Sequence, residues 1–171
     1  MRATLFPVNA VTAQKAGARL PQELSCSTSF LLKRLGFAAK ERAMAAYEPT
    51  GLSPYHHAVL AVLDEGARET QGEIADALGY DRGQLVGLLD ELEEDGLVER
   101  RRDPNDRRRH TVKMTPEGKK TLAKLRALSR RLDDDFLAPL GEADREALHA
   151  LLSRLAETHE PRYVPRPPAR R

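Results

Sequence analysis

The 171-residue sequence predicts a mainly α chain carrying one small β hairpin. Three observations predict it. Apolar residues recur at helical spacing through most of the stretch from Ser29 to Thr158. Most of these segments open on Ser, Thr or Asp and close on Gly or Pro, the residues that cap and stop helices. The period shortens to that of a strand only over Leu97–Arg100 and His110–Met114.

Taken in order, Met1–Ser25 shows little periodicity and holds Pro7, Gly17 and Pro21. It is expected to be a mobile arm or a short extra helix packed on the body. Ser29–Tyr47 carries Leu31, Leu35, Ala38 and Ala39 on one face and is stopped by Pro49. Ser53-Pro54 supplies an N-cap and a proline at the first helical position. The helix behind it holds Val59, Leu60, Val62 and Leu63 and closes at Gly66. Thr70-Gln71-Gly72-Glu73 has capping-box spacing. It opens a short helix with Ile74, Ala75 and Leu78, ended by Gly79. Asp81 caps the next, which has Leu85, Leu88, Leu89 and Leu92 on one face and stops at Gly96.

The two predicted strands flank a loop from Arg101 to Arg109, where Asp103-Pro104-Asn105-Asp106 supplies turn residues. Thr115-Pro116 then caps a long helix striped by Leu122, Leu125, Leu128, Leu132 and Phe136. Pro139 and Gly141 break it. A last helix runs from about Glu142 to Thr158 with Leu148, Leu151, Leu152 and Leu155. The tail from Pro161 to Arg171 has four prolines and four arginines and is expected to be extended and disordered.

Charge is segregated along this frame. The whole chain is only +2, with 28 Lys+Arg against 26 Asp+Glu. Arg100–Lys120 holds nine basic and three acidic residues, a local +6, which leaves −4 for the remainder. A dense basic segment on a mildly acidic body points to a polyanionic partner, because the local field governs encounter more than net charge does.

Other classes find little support. The single cysteine, Cys26, excludes an intrachain disulfide framework. No apolar run approaches the roughly 18–20 residues of a membrane span. The N-terminus lacks the apolar stretch and cleavage site of a signal peptide, so the chain reads as soluble and intracellular. His56, His57, His110, His149, His159 and Cys26 show no ligand-pair spacing, so no metal is expected. With no phosphate-binding loop or nucleophile elbow, neither a cofactor nor an enzymatic activity is expected.

The order helix, short helix, turn, helix, hairpin is that of a helix-turn-helix followed by a wing. The second helix presents its outer face to the major groove, and the wing's arginines follow phosphates or enter a narrow minor groove. Outward positions on that second helix are Arg82, Gly83, Gln84, Val86 and Gly87. Gln84 suits adenine, and Arg82 suits guanine or phosphate. The acidic end of the helix, Asp90 to Asp95, is expected to point away from DNA.

The segment Glu73-Ile74-Ala75-Asp76-Ala77-Leu78-Gly79-Tyr80-Asp81-Arg82 resembles the helix-turn-helix of the MarR family of bacterial transcription regulators. Leu92–Arg100, reading LEEDGLVER, followed by Asp103-Pro104-Asn105-Asp106-Arg107-Arg108, resembles that family's wing signature. Met114-Thr115-Pro116-Glu117-Gly118 partly matches its entry to the following helix. The resemblance covers roughly Ser29 to Thr158. It implies a winged helix-turn-helix with N- and C-terminal dimerisation helices. The arm is then 1–25, a dimerisation helix 26–50, the DNA-binding domain 51–115, the C-terminal dimerisation helices 116–160 and the basic Pro-rich tail 161–171.

Carried over residue by residue, the resemblance implies that Arg108 enters the minor groove and Asp106 orients it through a charge-assisted hydrogen bond. Arg107 and Arg109 then meet phosphates. Gly83 and Gly87 depart from the family, where Ser or Thr is common near the first and a basic or hydroxylated residue near the second. The family further implies a homodimer on a pseudo-palindromic double-stranded operator, acting most often as a repressor in the bacterial cytoplasm and nucleoid. It also implies a small aromatic or phenolic effector, for which Phe37, Tyr47, His56 and His57 are the candidates; the alternative for the two histidines is core packing. Some members sense peroxides through one cysteine near the first helix, a role open to Cys26 beside that of a chance residue. The competing class is a winged-helix protein-interaction module without specific DNA binding, suggested by the two glycines on the recognition helix.

Overall fold

The computed structural model describes residues 19–66, 70–102 and 110–164, in two compact units, Met1–Ala38 and Ala39–Arg171. The elements in order are α1 (Gln22–Ser25), α2 (Thr28–Tyr47), a 3-10 turn over Glu48–Thr50, α3 (Pro54–Asp64), α4 (Gln71–Leu78), α5 (Arg82–Glu94), β1 (Val98–Arg102), β2 (His110–Met114), α6 (Pro116–Phe136) and α7 (Glu142–His159). This is the mainly α chain with a two-stranded antiparallel wing that the sequence predicts. The short helix α1 lies in the stretch read as arm or extra helix.

Local chemistry starts the helices. Ser53 and His56 form a reciprocal capping box at α3, with Pro54 at the first turn. Thr70 and Glu73 form another at α4: Thr70 accepts from the Glu73 N–H, and a Glu73 carboxylate oxygen accepts from the Thr70 N–H at 3.1 Å. Asp81 accepts from the N–H groups of Gly83 at 2.8 Å and Gln84 at 3.4 Å, covering two donors that α5 cannot satisfy internally.

The strands pair in the register Val98↔Met114, Arg100↔Val112 and Arg102↔His110. Strand β1 starts one residue later than the sequence suggests. The Leu97 N–H is bonded to Leu92 O at 2.9 Å, and Leu97 O accepts from the Thr115 N–H at 3.0 Å. Leu97 thus closes α5 and opens α6 rather than joining the ladder. A lone antiparallel bridge, Thr70↔Thr111, ties the start of α4 to β2.

In the larger unit the core lies between α3, α4, α5, the hairpin and the first half of α6. Val59, Leu60, Ile74, Leu85, Leu89, Leu92, Val112 and Leu122 are fully buried there. Each such side chain contributes roughly 2 kcal/mol of burial. Helix α6 joins this core through a close approach at Gly118. A Cβ at that position would overlap Leu97 O and sit 2.7 Å from Met114 Cγ. The Thr115 hydroxyl donates to Gly96 O at 2.7 Å and accepts from the Gly118 N–H at 3.0 Å, locking the same junction. Helix α7 buries none of its residues, and Leu151, Leu152 and Leu155 stay exposed. In the smaller unit Leu31, Leu32, Leu35 and Phe37 of α2 are exposed as well.

Candidate nucleic-acid interface

The recognition element begins at Gly79, whose φ of +66° reverses the chain in the left-handed region between α4 and α5. The Tyr80 N–H closes α4 on Ala75 O at 3.1 Å. Helix α5 then turns Leu85, Leu89 and Leu92 into the core, so the intervening positions face outward. Arg82, Gln84 and Val86, the residues expected to meet DNA, are all exposed on this face. Val86 is 41% exposed despite its apolar side chain. Arg82, Leu85 and Val86 line a cleft of about 200 Å³ with Gln71 and Gly72 from the start of α4.

The wing stem is fastened to this helix by a residue that the sequence reading counted only as charge. Val98 points inward, and strand alternation puts Arg100 on the same face. Its guanidinium reaches Asp90 at 2.5 Å and Glu93 at 3.4 Å, and donates to Val86 O at 3.4 Å. The Arg100 N–H donates to Glu93 at 3.0 Å. Asp90 and Glu93, one turn apart, therefore serve as the clasp for β1. Glu91, on another side of the same acidic helix end, faces His56 of α3. The sequence carries only half of this clasp: an inward Val98 puts Arg100 inward as well, whereas the carboxylates that meet it are set by how α5 packs against β1.

The basic segment is thus not presented uniformly. Arg100 is clasped, Arg101 pairs with Glu99 at 2.7 Å, and Lys120 pairs with Glu117 at 3.2 Å. Asp106, Arg107, Arg108 and Arg109, the expected wing-tip residues, lie outside the described residues.

The effector candidates separate into different environments. The hydroxyl of the buried Tyr47 and Nδ1 of His57 share a hydrogen bond at 2.7 Å, and the two rings stack with centroids 6.0 Å apart. Burial and then the nearby Arg126 hold the His57 imidazole below its ordinary pKa, which favours its neutral form. Burial pushes the Tyr47 phenol up, keeping its proton in place. Arg126 itself pairs with Asp64 at 2.8 Å.

His56 is only 4% exposed and its ring faces elsewhere. Its Nδ1 accepts from the Ser53 N–H at 3.0 Å, leaving the proton on Nε2. That nitrogen lies 3.0 Å from Glu91 Oε2 but out of line with it, so the contact is more Coulombic than a formed hydrogen bond. Burial lowers the His56 pKa, with Glu91 opposing. Phe37, 56% exposed, belongs to the smaller unit. Cys26 is exposed at the C-cap of α1. Among the described residues no group of three or more His, Cys, Asp or Glu side chains could hold a metal ion, and no helix is long and apolar enough to cross a membrane.

Comparison with known proteins places this arrangement. The MarR family profile matches residues 50–109, from the entry to α3 through the wing. A protein of Thauera aromatica, described as a transcriptional regulatory protein for the hcr operon, is 34% identical over 150 residues, covering 87% of this chain and 88% of that protein. Among solved structures, the transcriptional repressor CouR bound to a 23-mer DNA duplex superposes with a TM-score of 0.72 at 36% identity, over 81% of this chain and 99% of that one. CouR of Rhodococcus jostii RHA1 bound to p-coumaroyl-CoA gives a TM-score of 0.68 at 29% identity, over 85% and 100%. A winged helix clasped to its recognition helix, found in a chain this similar over its length to known regulators, makes this protein a member of the MarR family of transcriptional regulators.

Proposed function

We propose that this regulator is a homodimeric repressor that reads a pseudo-palindromic duplex in the bacterial cytoplasm, at the nucleoid, and is released by a phenolic effector. The observation that carries the reading is the Arg100 clasp, which makes recognition helix and wing stem one rigid piece. Arg82 and Gln84 then read base edges or phosphates in the major groove. Arg108, oriented by Asp106, enters the flanking minor groove, and Arg107 and Arg109 meet phosphates. The exposed leucines of α7 and of α2 are the surfaces that a second copy covers. Two-fold symmetry sets two recognition helices about one DNA turn apart. The matched relatives are regulators, and the reading gives no residue a catalytic role.

The part-buried Tyr47–His57 pair, beside Arg126, offers a phenolic acid or its coenzyme A thioester a hydrogen-bonding partner and a positive charge. The p-coumaroyl-CoA held by CouR supports that ligand class. His56, with its ring engaged by Ser53 and facing Glu91, is assigned to packing.

The test is an electrophoretic shift of the duplex upstream of the chain's own coding sequence, at rising salt. Affinity is expected to fall steeply with ionic strength, and Arg108→Ala to weaken binding by about 1–3 kcal/mol. Binding that ignores salt and survives this substitution overturns the mechanism and favours a protein-interaction module. Phenolic acids and their thioesters are expected to raise the melting temperature and to release the duplex.

A further inference from the structure

Helix α5 turns Leu85, Leu89 and Leu92 into the core but leaves Val86 41% exposed on its outer face. The positions beside this valine carry no side chains: Gly83 lies one turn before it and Gly87 follows it. Gly83 has a local reason, since a Cβ there would stand 3.0 Å from the capping Asp81 carboxylate. Gly87 has none. A Cβ at that position meets nothing within 4 Å, and glycine in mid-helix weakens α5 relative to alanine. What the pair of glycines does is clear the surface on either side of Val86.

The rest of the face is arranged around the same side chain. The Val86 carbonyl oxygen accepts from the Arg100 guanidinium at 3.4 Å, which ties its backbone to the wing stem. Asp90, one turn further along, has its charge taken up by Arg100 at 2.5 Å. Arg82, one turn before, is exposed. The stripe Arg82, Val86, Asp90 thus presents a cation, an apolar tip and a carboxylate that is already paired. Beside it runs the cleft of about 200 Å³ that Val86 lines with Arg82, Leu85, Gln71 and Gly72.

A duplex offers such a tip one kind of apolar group. In the major groove guanine shows two acceptors, cytosine an amino donor, adenine an acceptor and an amino donor, and thymine an acceptor and a 5-methyl group. A valine set against any of the polar groups strips water from an atom it cannot bond. Set against the methyl, both surfaces leave water with a gain.

We propose that Val86 reads the 5-methyl group of a thymine in the major groove of the operator. The inference rests on the reading of this chain as a DNA-binding regulator, and it adds selection for thymine to the contacts of Arg82 and Gln84. Gly83 and Gly87 let the base edge reach the valine, and Arg100 holds the valine at a fixed height on the helix. The two glycines therefore serve the base-reading side chain between them rather than leaving the recognition helix bare.

The experiment uses the duplex upstream of the coding sequence, made with thymine or with uracil in its place. Uracil removes the methyl and keeps every hydrogen-bonding group of the groove. Single replacements then locate the sensitive position. The full chain and Val86→Ala are titrated on each duplex at one salt concentration. A buried methyl is worth about fourfold in affinity, so the parent is expected to lose about fourfold for one uracil and about sixteenfold for one in each half-site. Val86→Ala is expected to bind the thymine duplex about as weakly as the parent binds the uracil duplex, and to bind both duplexes equally. Its salt dependence and melting temperature stay those of the parent, since no phosphate contact and no buried group is removed.

A parent that binds thymine and uracil duplexes equally at every position overturns the inference while leaving the helix-turn-helix reading intact. A Val86→Ala chain that is as sensitive to uracil as the parent also overturns it, because another residue then meets the methyl. A parent that does not bind the duplex in a salt-dependent way overturns the DNA-binding reading, and this proposal with it.

Discussion

Helices α5 and α7 belong to the same unit and carry similar leucine stripes, yet they end in opposite conditions. The 13 residues of α5 bury Leu85, Leu89 and Leu92. The 18 residues of α7 bury nothing. Helix α5 meets α3, α4 and the hairpin, which the chain supplies within a few tens of residues. For α7 the described residues supply no surface that buries any of its side chains. The difference teaches that amphipathicity states a demand for a partner without saying where the partner comes from. One helix is finished by its own fold, and the other is the face that the proposed second copy would cover.

The comparison is broken most sharply at the leucines themselves. Leu89→Ala is expected to cost about 2–5 kcal/mol in chemical denaturation, by the same amount at every protein concentration. Leu155→Ala is expected to lower stability in a concentration-dependent way, since its burial waits on association. A Leu155→Ala chain whose unfolding midpoint equals the parent's at all concentrations removes the distinction.

Next in size is the clasp. Arg100→Ala leaves Asp90 and Glu93 without their cation. Those carboxylates are half exposed, so the stability cost is about 1 kcal/mol. The loss of duplex affinity is expected to be larger than that, because the wing no longer holds its angle to α5. Equal losses in the two measurements contradict the positioning role.

Gly87→Ala acts in the other direction. No atom beyond the local helix lies within 4 Å of a Cβ there, so the change is expected to stabilise α5 by about 1 kcal/mol. If duplex binding then weakens, the backbone approaches DNA at Gly87. If it does not, the glycine only softens the helix.

The gentlest effect is spread over pH. His56 and His57 are both held below their ordinary 6.5 by burial, with Glu91 and Asp95 opposing at His56 and Arg126 reinforcing at His57. The unfolded chain therefore takes up protons first. The stability due to these groups is present above pH 6.5 and drains away as pH falls from 6.5 through the folded-state values. A thermal melt that is flat over that window overturns the assignment.

The helix starts were legible because their chemistry is local. Ser53, Thr70, Asp81 and Thr115 each cap donors two or three residues ahead, and sequence spacing alone reveals them. The recognition face was legible for the same reason, since Leu85, Leu89 and Leu92 turned inward leave Arg82, Gln84 and Val86 outside. The diversion of Leu97 was not legible, because its N–H and C=O are claimed by groups on two different helices. The same holds for the environments of the two adjacent histidines. Neighbours on α3, they face different helices, His56 toward Glu91 of α5 and His57 toward Arg126 of α6.

By itself the sequence determined the helices, the hairpin and the position of the basic segment, because caps, periodicity and charge act over one or two turns. Only the tertiary structure decided which of those charges are spent within the protein and where the chain end sits. Arg100 meets Asp90 and Glu93, and Arg162 meets Gly79, only after strands and helices have packed. Contacts of that kind depend on the direction in which each element leaves the core, a quantity that no local run of residues contains.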